Sequence, residues 1–261
     1  MPLTQALLAT GSGGLVGLVL GLIGGGGSVL AVPLLVYVVG VSSPHVAIGT
    51  SAVAVAVSAF SNLLTHWREG HVKWRCAAVF TATGIVGAYL GSTLGKAVDG
   101  GRLLALFGAL MIAIGLLMLK KRGEEGDANV RLTTETAPKL LPMLVLIGLT
   151  VGAFSGFFGI GGGFLIVPGL ILATRMSLPY AIGTSLVAVT AFGATTATNY
   201  AASGLVDWPL VALFVGGGLF GGFGGVALGK TLSNGKKTLG TVFAAIVIVV
   251  GVYVVIRGVA G

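Results

Sequence analysis

Apolar runs and short polar interruptions divide the chain into segments at 3–23, 29–41, 44–65, 74–95, 102–119, 140–158, 164–174, 178–201, 208–229 and 238–256. Most have the roughly 20 residues that a helix needs to cross a bilayer. The runs at 29–41 and 164–174 are shorter, and each follows a glycine cluster. The long polar stretch KKRGEEGDANVRLTTETAPK at 120–139 predicts a solvated linker. The expected organisation is therefore a first transmembrane unit over 1–119, a cytoplasmic linker over 120–139 and a second transmembrane unit over 140–261.

The two units repeat one another. GLIGGGGSVLAVP at 21–33 matches GFFGIGGGFLIVP at 156–168, and AIGTS at 47–51 recurs at 181–185. Gly70 and Trp74 match Gly204 and Trp208, with His71 and Lys73 standing opposite Leu205 and Asp207. Gly84, Gly87, Gly91, Gly95 and Lys96 match Gly218, Gly221, Gly225, Gly229 and Lys230. From AIGTS onward the offset is a constant 134 residues, and the first pair differs from it by one.

Composition agrees with a membrane protein. Of 261 residues, 55% are hydrophobic and 8% charged, against about 25% charged in an ordinary soluble domain. The single Cys76 excludes an internal disulfide and reads as a small buried residue. The net charge of +8 sits in short loops, which points to membrane topology and not to nucleic acid. The first ten residues lack the basic start of a cleaved signal peptide and read as the outer end of the first span.

With five crossings per unit, twelve of the fifteen Lys and Arg residues fall on one side, leaving Lys96, Arg102 and Arg257 on the other. Re-entrant short runs would give a more even split, so the positive-inside rule selects five. An odd number makes the second unit enter from the opposite face. The predicted fold is an all-α polytopic membrane protein of two inverted-topology repeats, each of about five helical segments, with Gly-rich helix breaks, both termini outside and the linker inside. Whether 29–41 and 164–174 cross fully or are re-entrant stays open.

The breaks are where chemistry is expected. Gly24, Gly25, Gly26, Gly27 and Ser28 in the first unit, and Gly161, Gly162 and Gly163 in the second, allow non-helical backbone and close ligand approach. A helix that starts after such a cluster presents unpartnered amides and the positive end of its dipole. Two ends converging near the midplane make an anion site without a buried lysine. Close helix packing is the competing reading of the same glycines. For the Gly runs ending in Lys96 and Lys230, packing is the preferred reading, with each lysine snorkelling to the interface. No Gly-Lys-Ser/Thr follows the clusters, so a phosphate loop is excluded.

Thr50, Ser51, Thr184 and Ser185 of the AIGTS copies are candidates to donate hydroxyl bonds to an oxyanion. The alternative is a hydroxyl bonded to the carbonyl one turn back in its own helix. Asn62 and Asn199, late in the same spans, either line a cavity or link helices. All seven acids lie in loops or at span ends, Asp207 as a helix cap before Trp208 and Pro209, so no carboxylate is placed for an intramembrane relay. His45, His66 and His71 read as interface residues without metal-ligand spacing. Arg175 reads as an inside-loop charge or as a gate residue. A serine-nucleophile enzyme is disfavoured, because His66 lies about 22 Å beyond Ser51 along one helix and the second unit has no histidine. No catalytic residue, metal or cofactor is expected.

With its duplicated Gly-rich break leading to Pro33 and Pro168, and its duplicated AIGTS, the chain resembles the TauE/SafE family of sulfite exporters and related permeases over nearly its whole length. The resemblance implies a transporter in a prokaryotic plasma membrane that exports sulfite or an organosulfonate. An importer of a sulfur compound such as thiosulfate and a passive anion channel are the alternatives. The expected partners are a small anionic substrate and the lipid bilayer, with assembly into homo-oligomers open. The copies differ where Ser28 stands opposite Gly163, Gly25 opposite Ile160 and His66 opposite Tyr200.

Overall fold

The structure is a computed structural model that describes residues 2–23, 25–119, 127, 130, 132–159, 163–231 and 236–260. The first unit begins with α1 (Leu3–Ile23). A tight 3-10 turn (Gly25–Leu30), one α turn, α2 (Ala31–Pro33), and a wide π turn (Leu34–Val38) follow. Then come α3 (Pro44–Arg68), α4 (Trp74–Ala97) and α5 (Gly100–Leu119). The second unit consists of α6 (Ala137–Phe158), α7 (Gly163–Thr174), α8 (Leu178–Ala201), α9 (Trp208–Thr231) and α10 (Lys236–Ala260). Among the described residues, eight helices are long and apolar enough to cross a membrane, and the extended pairing is a lone bridge between Asp127 and Met176.

Local chemistry sets the helix ends. Pro44 opens α3 behind Ser43, whose Oγ accepts the Val46 amide. Asp207 caps α9 as expected, its Oδ1 accepting the Leu210 amide at 3.1 Å. At the ends of α3 and α8, Gly70 (φ 74°) and Gly204 (φ 70°) adopt the left-handed conformation that closes a Schellman turn. In each turn the residue after the glycine bonds back five residues, His71 to His66 and Leu205 to Tyr200.

The large apolar side chains divide between a packed interior and an outer surface that suits lipid. Phe80, Phe107, Phe192 and Phe214 are buried, whereas Phe220 is 83% and Val249 68% exposed. Trp67, Trp74 and Trp208 are exposed at helix ends, the depth at which indoles settle in a bilayer.

The main helix pairs join one unit to the other. α1 packs on α9, α6 on α4, α5 on α10 and α3 on α8, with secondary pairs α4 to α8 and α3 to α9. Glycine makes the approaches possible, because association inside lipid relies on close backbone contact. Gly14 and Gly17 on α1 lie against Gly221 and Gly218 on α9, and Gly84 and Gly91 on α4 lie against Gly152 and Ala153 on α6. A Cβ on Gly17 would strike the Gly218 carbonyl, and one on Gly91 that of Ala153. The packing reading of these runs therefore holds for Gly84, Gly87, Gly91, Gly95, Gly218, Gly221 and Gly225.

Register gives the directions. Residues rise together along α1 and α9 (Thr10 by Gly217, Leu18 by Gly225) and along α4 and α6 (Phe80 by Gly148, Ala88 by Gly156), so these pairs are parallel. Gly101 lies by Gly258 and Gly115 by Ala244, so α5 and α10 are antiparallel. Gly49 meets Tyr200 while Ala56 meets Gly193, so α3 and α8 are antiparallel as well.

Two sequence expectations are refined. The first glycine cluster is not an open break before a regular helix, since Gly25, Gly26, Gly27 and Ser28 wind into the 3-10 turn. Pro33, which lacks an amide proton, ends the single α turn, and the π turn follows it. Part of the linker lies outside the described residues, but its described part is docked. Asp127 exchanges backbone bonds with Arg175 and Ser177, and Arg75 donates to the Leu132 carbonyl.

Candidate substrate site between the two units

The turn that holds the first glycine cluster packs on the helix that follows the second. The Gly25–Leu30 turn packs against α1, α7 and α8. Gly27 rests on the backbone of α1, beside the Leu20 amide and the Val16 carbonyl, where a Cβ does not fit. The chain then returns to the start of α1, where Gln5 Nε2 donates to the Val39 carbonyl at 3.3 Å. In the second unit α6 ends at Gly159 (φ 65°), which faces the Ile48 side chain of α3. α7 starts at Gly163, which is buried. Ser28 is fully buried as well. Gly24, Gly161 and Gly162 lie outside the described residues.

The AIGTS copies dock the loops of the opposite unit. Thr50 Oγ1 accepts the Asp207 amide at 3.1 Å, and Thr184 Oγ1 accepts the Lys73 amide at 3.0 Å. The preceding glycines leave room for the same loops: a Cβ on Gly49 would strike the Leu205 carbonyl and one on Gly183 that of His71. Both threonines are fully buried. Each spends an oxygen lone pair on the loop and keeps its proton for another acceptor. Ser51 and Ser185 donate to the Ile48 and Ile182 carbonyls at 2.9 and 2.7 Å, so their protons are held within their own helices, three residues back.

Asn199 links helices. Its Nδ2 donates to Ser92 Oγ (2.6 Å) and Thr93 Oγ1 (3.0 Å), and its Oδ1 accepts from Lys96 Nζ (2.7 Å). Lys96 also donates to the Asn199 carbonyl and to Ser203 Oγ, so its head is held by α8 and does not reach freely toward the interface. Asn62 is buried on α3 with its Oδ1 near Gly222 of α9. Arg175 adopts φ 59°, and its carbonyl accepts the Asp127 amide.

Four buried hydroxyls escaped the sequence reading: Thr81, Thr196, Tyr200 and Ser155 have no hydrogen-bond partner among the described residues. Ser155 is fully buried in the last turns of α6, four residues before Gly159. Buried hydroxyls are nearly always partnered, so this one marks a place that another polar group can fill. A lone hydroxyl in an apolar run beside the break was the available signal.

Among the described residues, no Asp, Glu, Lys or Arg side chain is buried, and the buried polar side chains include serines, threonines, Asn62 and the Tyr200 phenol. The features together define a multi-pass α-helical membrane protein of two interlocked units around a neutral polar interior. The family model described as Sulfite exporter TauE/SafE matches residues 9–254, and the chain belongs to that family of membrane transporters. A probable membrane transporter protein of Xylella fastidiosa (strain Temecula1) is 53% identical over 254 residues, covering 97% of this chain and 96% of the relative. The probable membrane transporter protein YdhB of Bacillus subtilis is 26% identical, covering 81% and 85%, and MJ0441 of Methanocaldococcus jannaschii, also named a probable membrane transporter protein, is 28% identical, covering 69% and 67%. No solved structure matches the chain. Family, relatives and spans together place it as a multi-pass inner-membrane protein.

Proposed function

We propose that the protein exports a small anion, sulfite or an organosulfonate, by alternating access of two inverted repeats around the paired glycine breaks. The observation that carries this reading is the contact of the Gly25–Leu30 turn, which holds the first glycine cluster, with α7, the helix that follows the second, inside an interior that buries no described Asp, Glu, Lys or Arg side chain. The start of α7 offers unpartnered amides to an anion. The Thr50 and Thr184 protons and the Ser155 hydroxyl are candidate further donors. The antiparallel pairs α3 with α8 and α5 with α10 support entry of the two units from opposite faces, because equivalent helices then point in opposite directions.

Export of an anion needs no coupled cation. An inside-negative potential favours its exit by about 2.3 kcal/mol per elementary charge per 100 mV. The test is thermal melting of the purified protein in detergent with sulfite, thiosulfate, sulfoacetate, taurine, sulfate or chloride. A rise in Tm with one sulfur oxyanion, absent from Gly26→Val and Gly162→Val, is expected. A protein indifferent to every anion would sink the helix-end site.

A further inference from the structure

We infer that His66, Glu69 and His71 form a binding site for a divalent transition-metal ion at the turn between α3 and α4. The backbone creates the cluster. In a Schellman turn the residue after the left-handed glycine folds back onto the residue five before it. Here those residues are His71 and His66, joined by the His71 amide to the His66 carbonyl at 3.0 Å, with Gly70 in the left-handed conformation between Glu69 and His71. The rings lie 6.0 Å apart, centre to centre.

Glu69 completes the set. Its Oε2 is 3.3 Å from His71 Nδ1 and 4.0 Å from His66 Nδ1. One ligand atom from each residue lies within 4.8 Å of the other two. Two ligands on a tetrahedral ion with bonds of about 2.0–2.2 Å stand about 3.3–3.5 Å apart. The His71–Glu69 pair already meets that spacing, and His66 Nδ1, 4.0 Å from Glu69 Oε2, approaches it. His66 Nδ1 is buried without a hydrogen-bond partner among the described residues, so none of their bonds must break for it to bind an ion. Two imidazoles and one carboxylate suit Zn²⁺, Ni²⁺ or Cu²⁺ and not the all-oxygen preference of Mg²⁺ or Ca²⁺. Three protein ligands leave a coordination position for water.

The second unit supplies an internal comparison. Its Schellman turn is built the same way, but Tyr200, Ser203 and Leu205 stand where the first unit has His66, Glu69 and His71. That turn closes with the same backbone bond and no histidine, so the fold does not require the histidines. The site also has a fixed setting. Trp67 and Trp74 pack edge to face across the turn at 5.8 Å, His71 packs on Tyr180 of α8, and the Lys73 amide is bonded to Thr184. A bound ion therefore ties the end of α3 to a loop already docked on the opposite unit. Sequence spacing hid the cluster, because residues five apart on a continuing helix point in different directions and only the reversal at Gly70 joins them.

The experiment is a Zn²⁺ titration of the full-length protein in detergent, purified without a histidine tag, in competition with a chromophoric chelator, and a Co²⁺ titration read by visible absorption. One Zn²⁺ per chain is expected. His66→Ala and His71→Ala should each weaken binding at least about tenfold, Glu69→Gln should weaken it too, and His45→Ala should leave it unchanged. The double variant His66→Tyr with His71→Leu installs the side chains of the second unit; it should keep the metal-free melting temperature and lose both the Zn²⁺ and the Co²⁺ signals. Wild-type protein that takes up no Zn²⁺ in the titration, or a double variant that binds as wild type does, overturns the assignment.

Discussion

Thr50 on α3 accepts the backbone amide of Asp207, 157 residues later in the chain, at 3.1 Å. Its counterpart Thr184 does the same for Lys73 at 3.0 Å. The duplicated motif is thus a reciprocal latch, in which the glycine clears space and the threonine fastens the loop of the other unit. Thr50→Val and Thr184→Val each strand a partly buried amide, a loss of about 1–3 kcal/mol. Each should lower Tm in detergent, while Thr→Ser restores most of it. The two latches share no residue, so the double variant should lose close to the sum.

Glycines in the same helix should respond oppositely to a methyl group. Gly221→Ala drives a Cβ into the Gly14 carbonyl, and Gly87→Ala into that of Leu149. Both should destabilise by about 1–3 kcal/mol, read as a drop in Tm. Gly216 and Gly224 have open space where a Cβ would stand. Alanine there should leave Tm unchanged or raise it slightly, by the helix preference of alanine over glycine.

Lys96 and Asn199 should behave as one unit. Lys96→Met removes donors to the Asn199 side chain, the Asn199 carbonyl and Ser203. Asn199→Ala removes the acceptor and the bonds to Ser92 and Thr93. Each single variant should lower Tm, and the double should fall short of the sum by about 0.5–3 kcal/mol. Strict additivity would show that the short distances carry no coupling.

Export of a free anion has an electrical signature. In proteoliposomes loaded with the substrate, an inside-negative potential of 100 mV adds about 2.3 kcal/mol of outward drive per charge, close to a fiftyfold concentration ratio. Efflux should accelerate when that potential is imposed and slow when it is reversed. Flux that follows a proton gradient and ignores the potential would overturn the uncoupled mechanism.

Much of the fold is legible in the sequence because its causes are local. The long spans follow from run length and hydropathy. The break at Gly159 and the cap at Asp207 follow from residue type, and the glycine runs on α4 and α9 follow from their spacing. The first break was less legible. Its glycines read as an opening, yet they wind into a 3-10 turn in which Gly27 packs directly on Val16 and Leu20 of α1. Ser51 and Ser185 read as donors to a ligand or to their own helix, and both bond their own helix. Lys96 reads as an interface lysine until its partners on α8, over a hundred residues away, are brought beside it.

The sequence by itself determined that this protein lives in a membrane, that it is made twice from one plan and where its helices bend. Hydrophobicity, duplication and glycine content are properties of residues and of their order. The tertiary structure alone decided that α1 pairs with α9 and α6 with α4, that Thr50 and Thr184 hold each other's loops, and that His66, Glu69 and His71 surround one point. In lipid, one apolar helix face is as well solvated as another. Partner choice therefore rests on close-fitting glycine surfaces and on a few hydrogen bonds between residues far apart in the chain, and those exist only once the two units have interlocked.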